Sequence, residues 1–242
     1  MRIIEGRNPV IEALRSDAEI DTILINKDAA QGSLNKIFEL AKKKNILIKN
    51  VDRALLDRLS ENKKHQGVIA EAMEYKYKDI DDIFNYAKEK NEKPFIVILD
   101  EITDVHNLGS IIRSAECLGA HGVIIPKRRA AQINSVVAKS SAGAIEYLPV
   151  CRVTNISDTL ETLKEKGLWI YGADMEGEKY IYEENFDVPV GLVIGSEGSG
   201  LGRLVKEKCD IFIKIPMKGN INSLNASNAA SIIIYEIMKQ RT

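Results

Sequence analysis

Gly191-Leu-Val-Ile194-Gly195-Ser-Glu197-Gly198-Ser-Gly200-Leu-Gly202-Arg203 is the stretch whose reading decides the fold. Its apolar start, Gly191 to Ile194, is the pattern of a strand buried on both faces, as in a parallel sheet. The glycine-rich segment behind it is a backbone-lined binding loop or an elaborate turn. It lacks the G-x-G-x-x-G spacing of dinucleotide folds, because Arg203 stands where the third glycine would fall, and no P-loop spacing exists anywhere in the chain. A carboxylate set among glycines, Glu197, can approach a cationic or hydroxylated ligand without crowding.

Working outward, Phe95 to Leu99, Gly122 to Ile125, Leu168 to Tyr171 and Ile211 to Ile215 repeat the short buried run. Helical stretches alternate with them: Leu108 to Leu118, Gln132 to Ser141, Ile156 to Lys166, Leu201 to Lys208 and Leu224 to Gln240. This alternation predicts an α/β fold with a parallel sheet covered on both sides. The last helix is apolar nearly all round, through Ala229, Ala230, Ile232, Ile233, Ile234, Tyr235, Ile237 and Met238, which predicts burial on several sides, in the core or at a subunit contact.

The first part of the chain reads as a smaller α/β unit. Asn8 and Pro9 open a helix to Ser16, followed by a strand from Asp21 to Asn26. Ser33 caps a helix to Lys44 with Leu34, Ile37, Phe38 and Ala41 on one face; then come a strand from Ile46 to Ile48, a helix from Arg53 to Ser60 and a last run from Gly67 to Met73. The expected organisation is a domain over residues 1–75, a polar linker over 76–92 leading into a helix near Asp81 to Lys90, and a second domain over 93–242.

Composition narrows the function classes. The chain has 242 residues, 45% hydrophobic and 29% charged, so disorder is excluded. No apolar run approaches the roughly 20 residues of a membrane span. Glu5, Asn8, Pro9 and Glu12 interrupt any signal-peptide core, so a cytoplasmic location without membrane contact is expected. Cys117, Cys151 and Cys209 are odd in number and widely spaced, which predicts reduced core thiols and neither a disulfide framework nor a metal site. A net charge of -1 gives no sign of bulk nucleic-acid binding. Lys42-Lys43-Lys44, Lys63-Lys64-His65 and Lys127-Arg128-Arg129 are local basic clusters able to meet phosphates, although runs this short are more often solvated surface.

Ligands of open α/β sheets bind beyond the carboxyl ends of the strands. Three such segments are unusual. After the run at 95–99 comes Asn107-Leu-Gly-Ser-Ile-Ile-Arg113, in which Asn107 is a candidate helix cap and Arg113 a charge among apolar neighbours that needs a partner. The glycine loop is the second. The third, Ile215-Pro-Met217 through Ser223-Leu224-Asn225-Ala-Ser227, is dense in amides and hydroxyls and runs straight into the last helix. Capping by Ser223 or Asn225 explains one of these polar residues, and the surplus points to a polar pocket floor.

Together and in this order the three segments closely resemble the three motifs of the SpoU (TrmH-type) RNA 2'-O-ribose methyltransferases. Gly6-Arg7-Asn-Pro-Val-Ile-Glu-Ala-Leu14 and His65-Gln66-Gly67-Val68 resemble the substrate-binding domain of the branch that methylates a guanosine ribose in 23S rRNA. The resemblance implies a ribosomal-protein-like N-terminal domain and a trefoil-knotted α/β methyltransferase domain that dimerises through its last helix. It implies S-adenosyl-L-methionine held by Gly195, Gly198, Ile215, Met217 and Leu224, and catalysis by Arg113 with Asn107, Glu197, Ser223 and Asn225. The RNA surface is expected at Arg7, Lys63, Lys64 and His65, with 23S rRNA of the assembling large subunit as partner. The superfamily also holds tRNA and antibiotic-resistance rRNA enzymes, and a non-catalytic assembly factor would keep the same fold, so those alternatives stay open.

Overall fold

The computed structural model describes residues 2–16, 18, 20–29, 32–72, 75–220 and 223–242; Met73, which closes the expected run from Gly67, and Asn222 of the third segment lie outside them. The chain forms two compact units, one of residues 1–76 with 133–147 and one of 77–132 with 148–242.

In the first unit, β1 (Arg2–Glu5), β2 (Ile20–Asn26), β3 (Leu47–Val51) and β4 (Val68–Ala72) make a four-stranded sheet in the order β1-β4-β2-β3. Pairs with β4 are antiparallel and β2 with β3 is parallel. Helices α1 (Arg7–Arg15), α2 (Leu34–Lys43) and α3 (Arg53–Leu59) connect them. Helix α1 begins two residues before the expected start. Gly6, at φ 99°, supplies the turn and Arg7 N–H donates to Gln66 Oε1 at 3.1 Å, so Pro9 sits third in the helix, where an N–H would lack an intrahelical partner anyway. On α2, Leu34, Ile37 and Ala41 are buried but Phe38 is 41% exposed, because Leu40 takes the flank of the core expected for it.

The segment α6 (Ser135–Ser140) with the 3-10 turn Ala144–Glu146 belongs to this first unit. Two ion pairs bind it there: Arg2 with Glu146, both almost wholly buried, and Lys139 Nζ with Glu5 Oε1 at 3.2 Å. Ser60 Oγ donates to the other oxygen of Glu5, and Lys139 also donates to Lys64 O at 2.8 Å.

The second unit is a seven-stranded parallel sheet of β5 (Phe95–Leu99), β6 (Gly122–Pro126), β7 (Val150–Val153), β8 (Trp169–Ala173), β9 (Lys179–Tyr180), β10 (Val190–Ile194) and β11 (Ile211–Lys214), ordered β7-β6-β5-β10-β8-β11-β9. Every residue of β5, β6 and β10 is buried, which is why their sequences are continuous apolar runs. Helices α4 (Ile80–Glu89), α5 (Val105–Cys117), α7 (Ile156–Glu165), α8 (Arg203–Lys206) and α9 (Ala226–Arg241) complete it. Helix α8 is shorter than expected because Gly200, at φ 64°, and an extended Gly202 keep the start of that segment in the loop. Helix α9 buries Ala230, Ile233, Ile234 and Ile237 but leaves Ile232 40% and Tyr235 54% exposed, so its burial within the chain is one-sided. Of the three cysteines, Cys151 is buried and Cys209 half-buried, but Cys117 is exposed at the end of α5, against the expectation of core thiols throughout. No described helix is long and apolar enough to cross a membrane.

Candidate active site

The site forms where β5, β10, β8 and β11 end. Asp104 starts α5 by accepting the backbone N–H groups of His106 and Asn107, each at 2.8 Å. Asn107 is therefore not the cap: Asp104, three residues earlier, takes that role and frees the Asn107 amide for another partner. Asn107 Nδ2 donates to Glu197 Oε1 at 2.8 Å. Asn225 does cap α9, its Oδ1 accepting from Ser227 N at 2.9 Å and Asn228 N at 3.3 Å, while its Nδ2 donates to Asn107 Oδ1 at 3.0 Å and to Glu197 Oε1. Three residues from three distant segments thus close one hydrogen-bonded ring. Oε2 of Glu197 meets no donor among the described residues and stays open for a ligand.

The glycine loop is a backbone construction. Ser196 and Gly200 exchange N–H···O bonds at 3.1 and 3.0 Å, folding the loop back on itself. A Cβ at Gly195 would lie 2.3 Å from the carbonyl carbon of Gly200, so only glycine fits. Gly202 N–H donates to Asp100 Oδ2 at 2.7 Å, tying the loop to the end of β5. Burial pushes the Asp100 carboxyl above the ordinary range, although the Gly202 N–H opposes that rise by favouring the charged form.

Against this loop lies a cavity of about 710 Å³, walled on its apolar side by Ile194, Ile213, Ile215, Leu224 and Ile233. Gly195, Glu197, Gly198, Met217 and Ser223 line it too. All five expected cofactor residues are therefore on its wall. Glu197 and Ser223 face it, and Asn107 and Asn225 reach it through Glu197. Arg113 is not brought in. It is exposed, has no ion pair among the described residues, and stands about 9 Å further along α5 than Asn107 by helical rise. The cavity also takes Asp174, Glu176, Tyr180 and Lys206, none of which was singled out in the sequence; the rule of strand carboxyl ends, applied after the run at 168–171, points to them.

In the first unit Arg7 is half-buried, with its Nε donating to Gln66 O at 3.2 Å and its Nη1 to Ser33 Oγ at 3.3 Å. Lys63 and Lys64 are exposed. His65 departs from the expected surface placement: it is 3% exposed, with Nε2 3.1 Å from Asp57 Oδ1 and Nδ1 accepting Gly67 N–H at 3.0 Å. Both ring nitrogens are spent on shaping the 65–67 turn.

Known proteins resemble this chain along nearly its whole length. Residues 94–235 match the model of the SpoU rRNA Methylase family, and residues 3–78 match that of RNA 2'-O ribose methyltransferase substrate binding. A TrmH family tRNA/rRNA methyltransferase of Bacillus subtilis, YacO, is 49% identical over 98% of this chain and 94% of its own length. The SpoU methyltransferase AviRb from Streptomyces viridochromogenes, in complex with AdoMet, superposes with a TM-score of 0.84 at 30% identity, covering 99% of this chain and 89% of that one. The TrmH/SpoU tRNA modifying enzyme of A. aeolicus superposes with a TM-score of 0.56 at 27% identity, over 66% of this chain and 84% of that one.

Proposed function

Because the chain belongs to the SpoU rRNA methylase family, and is thereby an S-adenosylmethionine-dependent RNA methyltransferase, we propose that it methylates the ribose 2'-hydroxyl of a guanosine in 23S rRNA. The observation that carries the reaction is the ring of Asn107, Glu197 and Asn225 at a cavity where Gly195 leaves no room for a Cβ.

S-adenosylmethionine supplies an electrophilic methyl group on sulfur. The chain's own residues must then align the weakly nucleophilic hydroxyl and ease loss of its proton, and orientation of that kind contributes about 7–11 kcal/mol in near-attack geometry. Asn107 and Asn225 fix the Glu197 carboxylate through Oε1 and leave Oε2 to orient a ligand hydroxyl or ammonium. The apolar wall suits an adenine, and backbone groups around Gly195, Ile215 and Leu224 can read its edge. In this reading Arg113, exposed about one and a half turns beyond Asn107 on the same helix, holds a phosphate of the bound RNA outside the cavity. A guanidinium stays protonated at working pH, so it acts by fixing and polarising that phosphate.

Ribosomal RNA is favoured by the first unit, matched to a substrate-binding model over residues 3–78; the tRNA modifying enzyme of A. aeolicus superposes on only 66% of this chain. Arg7, Lys63 and Lys64 form its RNA face in this reading. The exposed Ile232 and Tyr235 of α9 supply a homodimer contact. The test is transfer of labelled methyl groups to rRNA and tRNA from a strain lacking the protein, with the modified ribose mapped. Label at one guanosine 2'-oxygen of 23S rRNA is the expected result, and label in tRNA alone overturns the substrate. Arg113→Ala should abolish transfer with cofactor affinity intact; substantial turnover in that variant removes Arg113 from the mechanism.

A further inference from the structure

Residues 126–132, at the carboxyl end of β6, carry three exposed cations, Lys127, Arg128 and Arg129, which the proposed reaction does not use. A run this short is ordinarily solvated charge on a compliant loop. Here the backbone is built. Gln132 Nε2 lies 3.0 Å from Pro126 O and 3.2 Å from the carbonyl oxygens of Ala130 and Ala131, gathering the loop around one amide. Gln132 Oε1 in turn faces Arg152 Nη1 and the Tyr77 hydroxyl, each at 3.5 Å, and the Arg152 guanidinium lies over the Tyr77 ring at 4.4 Å. Lys127 N–H donates to Val153 O and Ala131 N–H to Ile102 O, both at 2.8 Å. The second of these bonds fastens the loop to the connection that leads into α5, the helix of Asn107.

Charge along the carboxyl edge of the sheet is lopsided. Lys127, Arg128, Arg129 and Arg152 occupy the β6–β7 side; beyond β8 the acids Asp174, Glu176 and Glu178 are interleaved with Lys179, Lys206 and Lys214, Lys206 pairing with Asp174; the ring of Asn107, Glu197 and Asn225 lies between the two sides. Among the described residues, Glu101 meets Arg129 only at 3.7 Å with both side chains exposed, a contact of little strength that salt screens further. Phosphates are therefore attracted to the β6–β7 flank of the ring, while the other flank offers paired charges of both signs.

We propose that loop 126–132, with Arg152, binds backbone phosphates of the substrate RNA beside the target nucleotide, so that the RNA reaches the ring from the β6–β7 side. The inference rests on the RNA-methylating reading and adds where the polynucleotide runs. Contacts of this kind set register and orientation without reading bases. Each phosphate neutralised releases counterions, giving a salt dependence that can be counted.

The test is filter binding of the full-length protein to an in vitro transcript of 23S rRNA across a salt series, comparing wild type with K127A/R128A/R129A. Three lost phosphate contacts should reduce the slope of log K against log salt by about 2–3. The KM for RNA should rise at least tenfold, and cofactor affinity by calorimetry should stay unchanged. An unchanged slope and KM overturns the proposal, as does a parallel loss of cofactor affinity, which would mark a folding role. The single variants R128Q and R129Q, each expected to lower the slope by about 0.7–0.9, keep the question decidable if the triple variant misfolds. Absence of methyl transfer by wild type to any RNA refutes the proposed function instead, and the slopes would still decide the phosphate contact.

Discussion

Asn225 and Asn107 share one carboxylate but differ in what else they hold, and that difference separates stability from activity. Asn225 also caps α9, and loss of such a cap costs about 0.5–2 kcal/mol. Asn225→Ala should therefore lower both methyl transfer and the free energy of unfolding in urea. Asn107→Ala should lower transfer to a similar degree with an unfolding midpoint close to wild type, because Asp104 caps its helix. Glycines divide in the same way. Gly195→Ala forces a Cβ to 2.3 Å from backbone and should weaken cofactor binding at least tenfold by calorimetry, whereas Gly198→Ala meets nothing within 4 Å and should bind as wild type does. Asp100 adds a pH dependence. Its folded-state pKa is raised, so ionisation weakens the folded state as pH climbs from the ordinary Asp value through the raised one. Asp100→Asn still offers an oxygen to Gly202 N–H. Its stability relative to wild type should rise between acid and neutral pH in urea titrations, and a flat difference would show that the carboxyl carries no burial penalty.

Among the elements, the strands buried on both faces were the most legible, since a continuous apolar run of five residues leaves few alternatives; β5 matches its expected bounds at both ends. Strands β7 and β9 carry no such signal. Val150–Val153 is half exposed and interrupted by Arg152, and Lys179–Tyr180 is too short for any periodicity. Helix starts are ambiguous in sequence where two capping residues compete within one turn, as Asp104 and Asn107 do: Asp104 takes the cap while Asn107 bonds the distant Glu197. The members of the cavity wall followed from resemblance and strand-end position, whereas the burial of His65 depends on Asp57, eight residues away, and left no local pattern. Helix α9 shows how a pattern can be legible and its partner not: the all-round apolar sequence is matched by an exposed Ile232 and Tyr235. If those two residues form the proposed homodimer contact, Ile232→Glu with Tyr235→Glu should sediment as a monomer, and an unchanged dimer would move the contact elsewhere.

For the whole molecule, the substrate-binding match ends at residue 78 but the first compact unit does not. Glu5 and Arg2 find their charge partners at Lys139 and Glu146, more than 130 residues later in the chain. A fragment of residues 1–76 would leave those buried charges alone, and breaking a buried pair costs about 3–5 kcal/mol against a typical domain stability of about 5–15 kcal/mol. Such a fragment should show a broad, low-temperature melt by circular dichroism, and a sharp melt like that of the full chain would refute the contribution of the two pairs.

The double duty of Asn225 also ties the winding of α9 to the state of the site. Each time the first turn of that helix frays, the Asn225 side chain must release the amides of Ser227 and Asn228, and its hold on Glu197 loosens with them. Occupancy of the neighbouring cavity and closure of that turn are then parts of one equilibrium. In deuterium exchange the amides of Ser227 and Asn228 should slow when S-adenosylmethionine is added, although neither residue lines the cavity.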